Sequence, residues 1–478
     1  MVQIYLRFQS ELIQDCAWFM HVADQLLHGK TLYVDIFEVN PPLGMWIMVP
    51  IVWFAENFNL DQTTAINITL FSASAAVLAV CNRYLKFNSQ INSSTRLLQV
   101  ALLALGILFF PTIFFAEREH FMVLLFLPWV FLRLANPNQT QIGIWERVLI
   151  GVMAGAAICI KPQAIVAPAL VELVIYVHRR KISEMFAPET RGAVLFTAIY
   201  ASAILIYAPA FFTEMLGIGT KAYVPFFGYP LSVSLYGARW TITALIIAVA
   251  IRYRLSILKA DIFFLDGLLA AAIGFAISFF IQMKGFAYQI MPADILACFA
   301  AAVGAIQLWQ IERKISVHAL GIIAVASVLL FSLPQTVFTD LKAMDFIMQS
   351  NAPQAKSLFV ASTRMIDSFP YVQKRNLIWA SRLPTQWLTP YVDQKWHGGD
   401  LPQDDVVQRA LDWTVTDLAT FKPDIVMIDN SSTQIFVESG HFEYLKFWAH
   451  DPRFAAIWQN YKFKSNKYGF DVYVLNKP

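Results

Sequence analysis

The chain has 478 residues, of which 57% are hydrophobic and only 14% charged, and its formal net charge is +3. A soluble protein of this length has about a quarter of its residues charged, so the composition excludes an ordinary globular enzyme. The small positive balance excludes a basic surface of the kind that binds nucleic acid. Four cysteines without zinc-ligand spacing give no sign of a metal site or a disulfide framework. A mean hydropathy of +0.53 predicts a polytopic α-helical membrane protein.

The first predicted domain is an external loop with juxtamembrane helices, residues 1–61. We predict no span and no signal peptide within residues 1–34. Its apolar run 42–58, "PLGMWIMVPIVWF…", is short for a membrane crossing. The sidedness of the later spans puts both ends of this run outside, which predicts a juxtamembrane or re-entrant helix. We therefore expect an initial span, which would carry residues 1–34 across the membrane, to be missing from the chain as given.

The second predicted domain, residues 62–338, is a transmembrane bundle of about ten spans. The predicted spans are 62–82, 97–115, 120–136, 146–160, 163–178, 191–213, 238–253, 261–283, 288–309 and 316–337. Four connections are basic, namely 82–96, 178–181, 251–259 and 311–314. Lys and Arg collect in cytoplasmic loops, so these connections should face the cytoplasm. The alternate connections 116–120, 160–163, 214–237 and 283–289 should then lie outside, together with everything after residue 338.

The third predicted domain, residues 339–478, is more polar than the bundle. Its strand-like pieces are "SLFVAS" (357–362), "NLIWAS" (376–381), "DIVMID" (424–429) and "FDVYVL" (470–475). Helical patterns occupy 404–421 and 441–449 between them. We expect a small external α/β domain. It contains no glycine-rich phosphate loop and no catalytic triad.

Polar residues gather on the external rim of the predicted bundle and in the loop before it. They are Asp15, Asp35, Glu38, Asn40, Glu117, Arg118, His120, Lys161, Lys284 and Tyr288. Each has an ordinary explanation: an acid after a helix start caps the helix, a lysine at the end of a span snorkels, and "EREH" (117–120) forms a solvated turn. Their joint placement beside the "NPP" bend favours a ligand site, because charges near membrane depth are costly unless they meet a partner.

Several of these residues form a pattern that resembles the GT-C superfamily of membrane glycosyltransferases. The matching pieces are a frame that runs from Asp15 to "NPPLGMW" (40–46), the acidic turn "EREH", "KP" at 161–162 and "K...Y...P" from Lys284 to Pro292. The pattern is most similar to the branch that includes protein O-mannosyltransferases and lipid A aminoarabinose transferases. It covers most of the membrane part, and the resemblance implies a GT-C fold with an external soluble domain.

The resemblance also implies a polyprenyl-phosphate sugar as donor and matches Asp15 to the general base. Glu117 matches a second acid, which would orient the acceptor or Asp15. The leaving phosphate gains charge in the transition state, so cations should surround it. Donor-phosphate binding then falls to Lys161, Lys284, Arg118 and Tyr288. The acceptor or head-group loop comprises Asp35, Glu38, Asn40 and His120.

One departure from the family concerns the proline pair. In the aminoarabinose transferases it follows Glu-Lys, whereas this chain has "EVNPP". Asn40 therefore stands where a phosphate-binding lysine would be, and Glu38 is displaced by one residue. The same donor sugar and the same metal site do not follow. We assign no metal ligands and expect no required cofactor, although a divalent metal remains compatible with the chemistry.

The expected function is transfer of a sugar from an undecaprenyl-phosphate-type donor to a glycolipid, polysaccharide or protein on the periplasmic face of a bacterial inner membrane. An archaeal membrane is also compatible. One alternative is a transporter or lipid flippase, which would have charges near the middle of its spans and internal repeats. This sequence has its charges at one rim and no recognisable repeat. The other alternative is a non-catalytic scaffold of a glycan-synthesis complex.

Overall fold

The computed structural model describes residues 7–87, 91–135, 142–312 and 341–476. The chain divides into two compact units. The helical unit comprises Met1–Ser10, Phe58–Leu205 and Gly228–Thr336. The mixed unit comprises a first segment, Glu11–Asn57, a loop segment, Ile206–Phe227, and a C-terminal segment, Val337–Pro478.

The helical unit consists of long apolar helices joined by short connections. Its helices are Gln62–Leu85, Ser93–Phe109, Arg118–Leu134, Ile144–Ile160, Val166–Arg179, Pro188–Tyr207, Leu231–Gly237, Arg239–Ile257, Phe263–Gln282 and Met291–Glu312, with 3-10 turns at Thr112–Phe114, Pro162–Ile165, Ile182–Phe186 and Ala287–Ile290. The first of these helices begins with Asp61, whose carboxylate accepts a hydrogen bond from the Thr64 N–H at 2.8 Å and so caps the helix.

Among the described residues, five helices are long and apolar enough to cross a membrane. They are Gln62–Leu85, Pro188–Tyr207, Arg239–Ile257, Phe263–Gln282 and Ala287–Glu312. The ten predicted spans are therefore not confirmed in number. Four predicted spans correspond to helices of 17 residues or fewer, and the predicted span 316–337 lies outside the described residues.

Two helices of this unit approach each other through glycine. A Cβ on Gly151 would lie 1.9 Å from the backbone oxygen of Glu189, and one on Gly192 would lie 2.3 Å from the oxygen of Val148. No side chain fits at these distances. Glycine thus lets helices Ile144–Ile160 and Pro188–Tyr207 pack backbone against backbone, as in other apolar bundles.

A buried ion network connects the first turns of these two helices to the last turn of helix Arg118–Leu134. Arg133, in the last turn of its helix, donates to both oxygens of Glu172 at 2.7 and 2.6 Å. It also donates to Glu189 at 2.8 Å, and Arg147 donates to the same carboxylate at 2.8 Å. Arg133 is only 1% exposed, so its charge is compensated entirely by these carboxylates.

The mixed unit contains one five-stranded sheet in the order β2-β1-β3-β5-β4. The strands are β1, Ser357–Ala361; β2, Ile378–Trp379; β3, Ile425–Asp429; β4, Tyr461–Lys467; and β5, Phe470–Leu475. β1 pairs in parallel with β2 and with β3, whereas β5 is antiparallel to both β3 and β4. The four predicted strands are confirmed as β1, β2, β3 and β5, and the predicted C-terminal α/β architecture with them.

The helices of the mixed unit come from all three of its segments. They are Gln14–Leu27, Leu43–Trp46, Val49–Asn57, Leu216–Ile218, Lys342–Asn351, Tyr371–Lys374, Thr389–Lys395, Asp405–Phe421, Tyr444–Trp448 and Pro452–Trp458, with one-turn π-helices at Phe211–Met215 and Gly219–Tyr223 and a 3-10 turn at Met365–Asp367. The predicted helices 404–421 and 441–449 correspond to two of these.

The three segments of the mixed unit share a core, although they are far apart in sequence. Trp18 of the first segment packs against Phe369 with ring centroids 5.3 Å apart, and Phe37 packs against Trp413 at 4.2 Å. In the loop segment, Lys221 donates to the Asp405 carboxylate at 2.7 Å. The segments that the sequence assigned to the external face thus belong to one folded body.

Candidate functional site

The acidic turn "EREH" lies at the start of helix Arg118–Leu134, with Glu117 at the N-cap position. All four side chains are buried, namely those of Glu117, Arg118, Glu119 and His120. A solvated turn is therefore ruled out. The positive end of the helix dipole favours carboxylates at this position.

Lys161 contacts this turn directly. It lies at the break between helix Ile144–Ile160 and the turn Pro162–Ile165, and it forms a buried ion pair with Glu119. Its ammonium also donates to Gln282 Oε1 at 3.4 Å and lies 5.4 Å from the centre of the Tyr288 ring. Because Lys161 is buried among protein groups, it does not snorkel into solvent.

Lys284 follows Gln282 in the non-helical connection after helix Phe263–Gln282. Its backbone oxygen accepts a hydrogen bond from Tyr229 N at 2.9 Å. Gly285 comes next with φ +69°, and a Cβ there would lie 2.6 Å from Ser234 Oγ. The turn therefore requires glycine, and it places Lys284 at a buried position. Burial lowers the pKa of Lys284 to about 8.

Four of these side chains form one group, which we call the rim cluster: the cations Arg118 and Lys161 and the carboxylates Glu117 and Glu119. The charges of Glu119, Arg118 and Glu117 all act on Lys161, and all four side chains are buried. Buried charges are costly unless they meet a partner, so an anion can join this cluster where its oxygens replace a carboxylate as the partner of a cation.

Aromatic side chains stand beside the rim cluster. Tyr288 stacks on Phe286 with ring centroids 5.8 Å apart and lies 5.9 Å from Phe114. Phe115 packs edge-on against His120 at 4.7 Å. These rings give the cluster an apolar flank, on which an isoprenoid or a sugar face can lie.

In the mixed unit, Glu38 organises the "NPP" bend. It is buried and accepts hydrogen bonds from Trp18 Nε1 at 2.7 Å and from the Asn40 backbone N at 3.0 Å. The Tyr33 hydroxyl donates to the Asn40 oxygen at 2.6 Å. Asp35, by contrast, is exposed and accepts from the Thr31 backbone N at 2.7 Å. Glu38 therefore shapes the loop, whereas Asp35 faces its surface.

Asp15 lies in the first turn of helix Gln14–Leu27 and is half-buried. Ile13 occupies the N-cap position of that helix, so Asp15 is not the capping residue. Asp15 belongs to the mixed unit, whereas Glu117, Lys161 and Lys284 belong to the helical unit. The structure brings Glu117 and Lys161 together with Arg118 and Tyr288. Lys284 lies two residues after Gln282, to which Lys161 donates. Convergence of Asp15 with them stays a prediction.

Sequence reasoning missed the partners of Lys161. Glu119 was visible inside "EREH" but carried no separate signal, and Gln282 ends a helix more than a hundred residues later. The described residues also include a cluster of side chains of the types that bind metal ions. Ligand atoms of Asp24, His28 and Glu56 lie within 4.8 Å of one another on the surface of the mixed unit. Exposed groups of this kind are common without a metal, and we assign none to it.

Comparisons with known proteins add no family assignment. No protein-family model matches the chain, and a search of curated proteins found no match.

Proposed function

We propose that this chain is a glycosyltransferase of the GT-C type that uses a polyprenyl-phosphate sugar. The main support is the rim cluster, in which Lys161 pairs with Glu119 beside Tyr288, in a protein with five helices apolar enough to cross a membrane. An anionic head group with a long apolar tail fits both features. The acceptor is a glycolipid, polysaccharide or protein.

The buried cations of the rim cluster support a phosphate as its ligand. The ion pair with Glu119 favours the charged form of Lys161 in a buried place. A phosphate oxygen can take over as partner of Lys161, while Arg118 adds donors of fixed geometry. Tyr288 contributes a hydroxyl donor and an aromatic face. Prenyl binding between apolar helices would hold the reacting carbon in place.

The reaction moves one glycosyl group. An acceptor hydroxyl or amine attacks the anomeric carbon, a new bond forms there, and the bond from that carbon to the phosphate oxygen breaks. The electron pair leaves with the polyprenyl phosphate, whose growing charge the rim cluster stabilises. Asp15 takes the proton of the acceptor as general base. Glu117 orients the acceptor or Asp15, and Asp35, Asn40 and His120 contact the acceptor or the head group.

The distribution of arginine supports a periplasmic rim cluster in an inner membrane. Glu117 begins its helix, and Arg133 lies in the last turn of the same helix with Arg147 and Arg179 nearby. Lys and Arg collect on the cytoplasmic side of membrane proteins. This rule favours the Arg133 end as cytoplasmic and the Glu117 end as periplasmic. The periplasmic side that we propose for the C-terminal segment follows from the alternation of basic connections in the sequence.

A lipid flippase would also need a buried site for a lipid phosphate, so the rim cluster is compatible with that alternative. A flippase needs no general base, however, and a scaffold needs neither base nor phosphate site. Two variants therefore separate the three functions. Asp15→Asn removes the base and leaves the cations in place, whereas Lys161→Met removes one cation.

The experiment uses the purified full chain in lipid nanodiscs with a panel of polyprenyl-phosphate sugars carrying labelled sugar. Native mass spectrometry of co-purifying lipids names the donor. For an enzyme, Asp15→Asn should keep donor binding and lose transfer, and Lys161→Met should lose binding. Lys86→Met, at an exposed lysine after helix Gln62–Leu85, is the control and should behave as wild type. A chain that binds none of the donors is not this transferase.

A further inference from the structure

The sheet of the mixed unit contains a topological switch point at the carboxyl ends of β1 and β3. After β1 the chain continues to β2 on one side, and after β3 it continues to β4 and β5 on the other. Adjacent parallel strands whose connections diverge leave a crevice at their carboxyl ends, and ligands of open α/β sheets bind there. Ser362 follows β1 directly, and Asp429 is the last residue of β3.

Buried polar side chains gather at this edge. The Gln386 backbone N donates to the Ser362 oxygen at 2.8 Å, which brings the segment after β2 to the end of β1. Ser362 Oγ donates to the Asp367 carboxylate at 2.6 Å. Asp429 accepts from Ser431 Oγ, also at 2.6 Å. We call Ser362, Asp367, Gln386, Trp387, Asp429 and Tyr444 the switch-point cluster.

Two side-chain N–H donors of the switch-point cluster lack a hydrogen-bond partner within the part of the chain that the structure describes. They are Gln386 Nε2 and Trp387 Nε1, on side chains 6% and 2% exposed. Gln386 Oε1 already accepts from Thr414 at 3.2 Å, so only its amide donor is unused. Buried donors without a partner are rare in native proteins, because burial removes their hydrogen bonds to water. An acceptor oxygen from a ligand would satisfy both.

The charges around Tyr444, another member of the cluster, indicate the class of ligand. Tyr444 is buried beside Thr389, and burial raises the pKa of its hydroxyl, as do the charges of Asp429, Asp367 and Asp393. The hydroxyl therefore stays protonated at neutral pH. Arg364, the nearby cation, is already paired with Asp367. With carboxylates in excess, an anionic ligand would be repelled, and a ligand rich in neutral hydroxyl groups would not.

We propose that the switch-point cluster binds a neutral saccharide, whose hydroxyl oxygens accept hydrogen bonds from Gln386 Nε2 and Trp387 Nε1. Other hydroxyls of the sugar donate to the carboxylates of Asp367 and Asp429. Ile366 and Ile435, 42% and 41% exposed in the loops after β1 and β3, provide an apolar rim against which a sugar face packs. The proposal does not depend on sugar transfer at the rim cluster.

The test measures binding to the full chain in nanodiscs, without any lipid-linked donor. Saturation-transfer difference NMR uses the methyl glycosides of glucose, galactose, mannose and N-acetylglucosamine, with inorganic phosphate as the anionic competitor. At least one glycoside should bind, and phosphate should not displace it. Trp387→Phe removes the unpaired N–H and keeps the ring that lies 6.0 Å from Tyr223. It should weaken binding about tenfold.

Trp379→Phe is the matched control. Trp379 is also buried in this unit, but its Nε1 donates to the Leu383 oxygen at 2.9 Å. The control should lower the melting temperature at least as much as Trp387→Phe does, because it also loses a hydrogen bond, and it should leave saccharide affinity unchanged. Trp387→Phe should lower the affinity. If Trp387→Phe fails to fold, Gln386→Leu removes the other unpaired N–H donor and should weaken saccharide binding instead.

Three outcomes would overturn the proposal. In the first, no glycoside gives a signal. In the second, the variants lacking a cluster donor bind as well as wild type, so that only water occupies the cluster. In the third, phosphate displaces the sugar from the cluster, and the ligand is then an anion.

Discussion

Lys161 and Glu119 form a buried ion pair whose two halves can be separated by mutation. Lys161→Met leaves the Glu119 carboxylate buried without its cation, which costs roughly 3–5 kcal/mol of stability. It should also remove donor binding. The double variant Lys161→Met/Glu119→Leu replaces both charges by apolar groups, so it should recover most of the stability and none of the binding. Thermal unfolding and native mass spectrometry measure the two effects.

Glu119→Gln supplies the reciprocal control for that pair. It keeps the charge of Lys161, so donor affinity should stay or rise while stability falls. If Glu119→Gln and Lys161→Met lose donor binding equally, the pair supports the fold and Lys161 does not bind phosphate.

Lys284 should make donor affinity depend on pH. Burial lowers the pKa of Lys284 to about 8 in the folded protein. The ammonium is present below that pH and is lost as the pH rises through it, so affinity for the anionic donor should fall above about pH 8. In Lys284→Arg the side chain keeps its charge throughout this range, so the alkaline limb, the fall of affinity at high pH, should move to higher pH. Binding titrations across this pH range compare the two proteins.

Lys86→Arg is the matched control for the pH experiment, because Lys86 is exposed. It should leave the alkaline limb where wild type has it. If Lys284→Arg also leaves the alkaline limb unchanged, a group other than Lys284 causes the loss of donor affinity at high pH.

At the scale of single residues, the sequence predicts candidates better than partners. Lys161 and Lys284 were recognisable because each follows a long apolar run. Their surroundings depend on the packing of helices that are distant in the chain, as the contact of Lys161 with Gln282 illustrates. Glu38 was predicted as a loop residue, but its hydrogen bond from Trp18 requires the fold of the whole first segment.

At the scale of elements, the close pair of helices at Gly151 is the most sensitive contact to test. Gly151→Ala would place a Cβ against the Glu189 backbone, which cannot move as a side chain can. The helices must separate, and Glu189 would be displaced from Arg133 and Arg147. We expect a loss of about 1–3 kcal/mol, as for other overpacked sites. Thermal unfolding in nanodiscs measures it.

Gly237→Ala is the control for the helix contact. It lies at the end of a short helix, and a Cβ there would meet nothing within 4 Å. Its melting temperature should stay close to that of wild type. If both variants unfold alike, the cost comes from the loss of glycine itself and the close approach is unimportant.

Element bounds followed from sequence where a pattern was long. The apolar run at 62–82 became helix Gln62–Leu85, and the pattern at 404–421 became helix Asp405–Phe421. β4, "YKFKSNK", was missed because its apolar and polar residues alternate only over "YKFK", and the "SNK" that follows is polar throughout. Lysines of this kind are common at the edge of a sheet. The predicted boundary at residue 160 agrees with helix Ile144–Ile160, which ends before Pro162. The 3-10 turn Pro162–Ile165 then delays the next helix to Val166, three residues after the predicted start.

At the scale of the whole molecule, the mixed unit is assembled from three segments that helices of the other unit separate in the chain. Contacts between segments so far apart in sequence depend on tertiary packing, which local sequence patterns do not encode. The sequence predicted the C-terminal segment as a separate domain. The structure has it sharing a core with the first segment, the part of the chain that contains Asp15 and the "NPP" bend.

The contact of Phe37 with Trp413 tests whether the C-terminal segment holds the first segment in place. Both side chains are buried, and their rings lie 4.2 Å apart. Trp413→Ala removes one half of this contact, at a cost of about 3–5 kcal/mol for a buried aromatic residue. Local opening should follow where the contact is lost. Hydrogen exchange measured by mass spectrometry should therefore speed up in peptides that cover residues 31–42.

Trp396→Ala separates that local effect from general destabilisation. Trp396 packs against Phe442 and Phe447 inside the C-terminal segment, so its loss should leave exchange in residues 31–42 unchanged. If both variants speed up exchange there equally, the first segment reports only the global stability of the unit. If Trp413→Ala alone does so, transfer by the proposed enzyme should fall more than donor binding, because residues 31–42 contain Asp35 and Asn40 of the proposed acceptor loop and not the phosphate-binding cations.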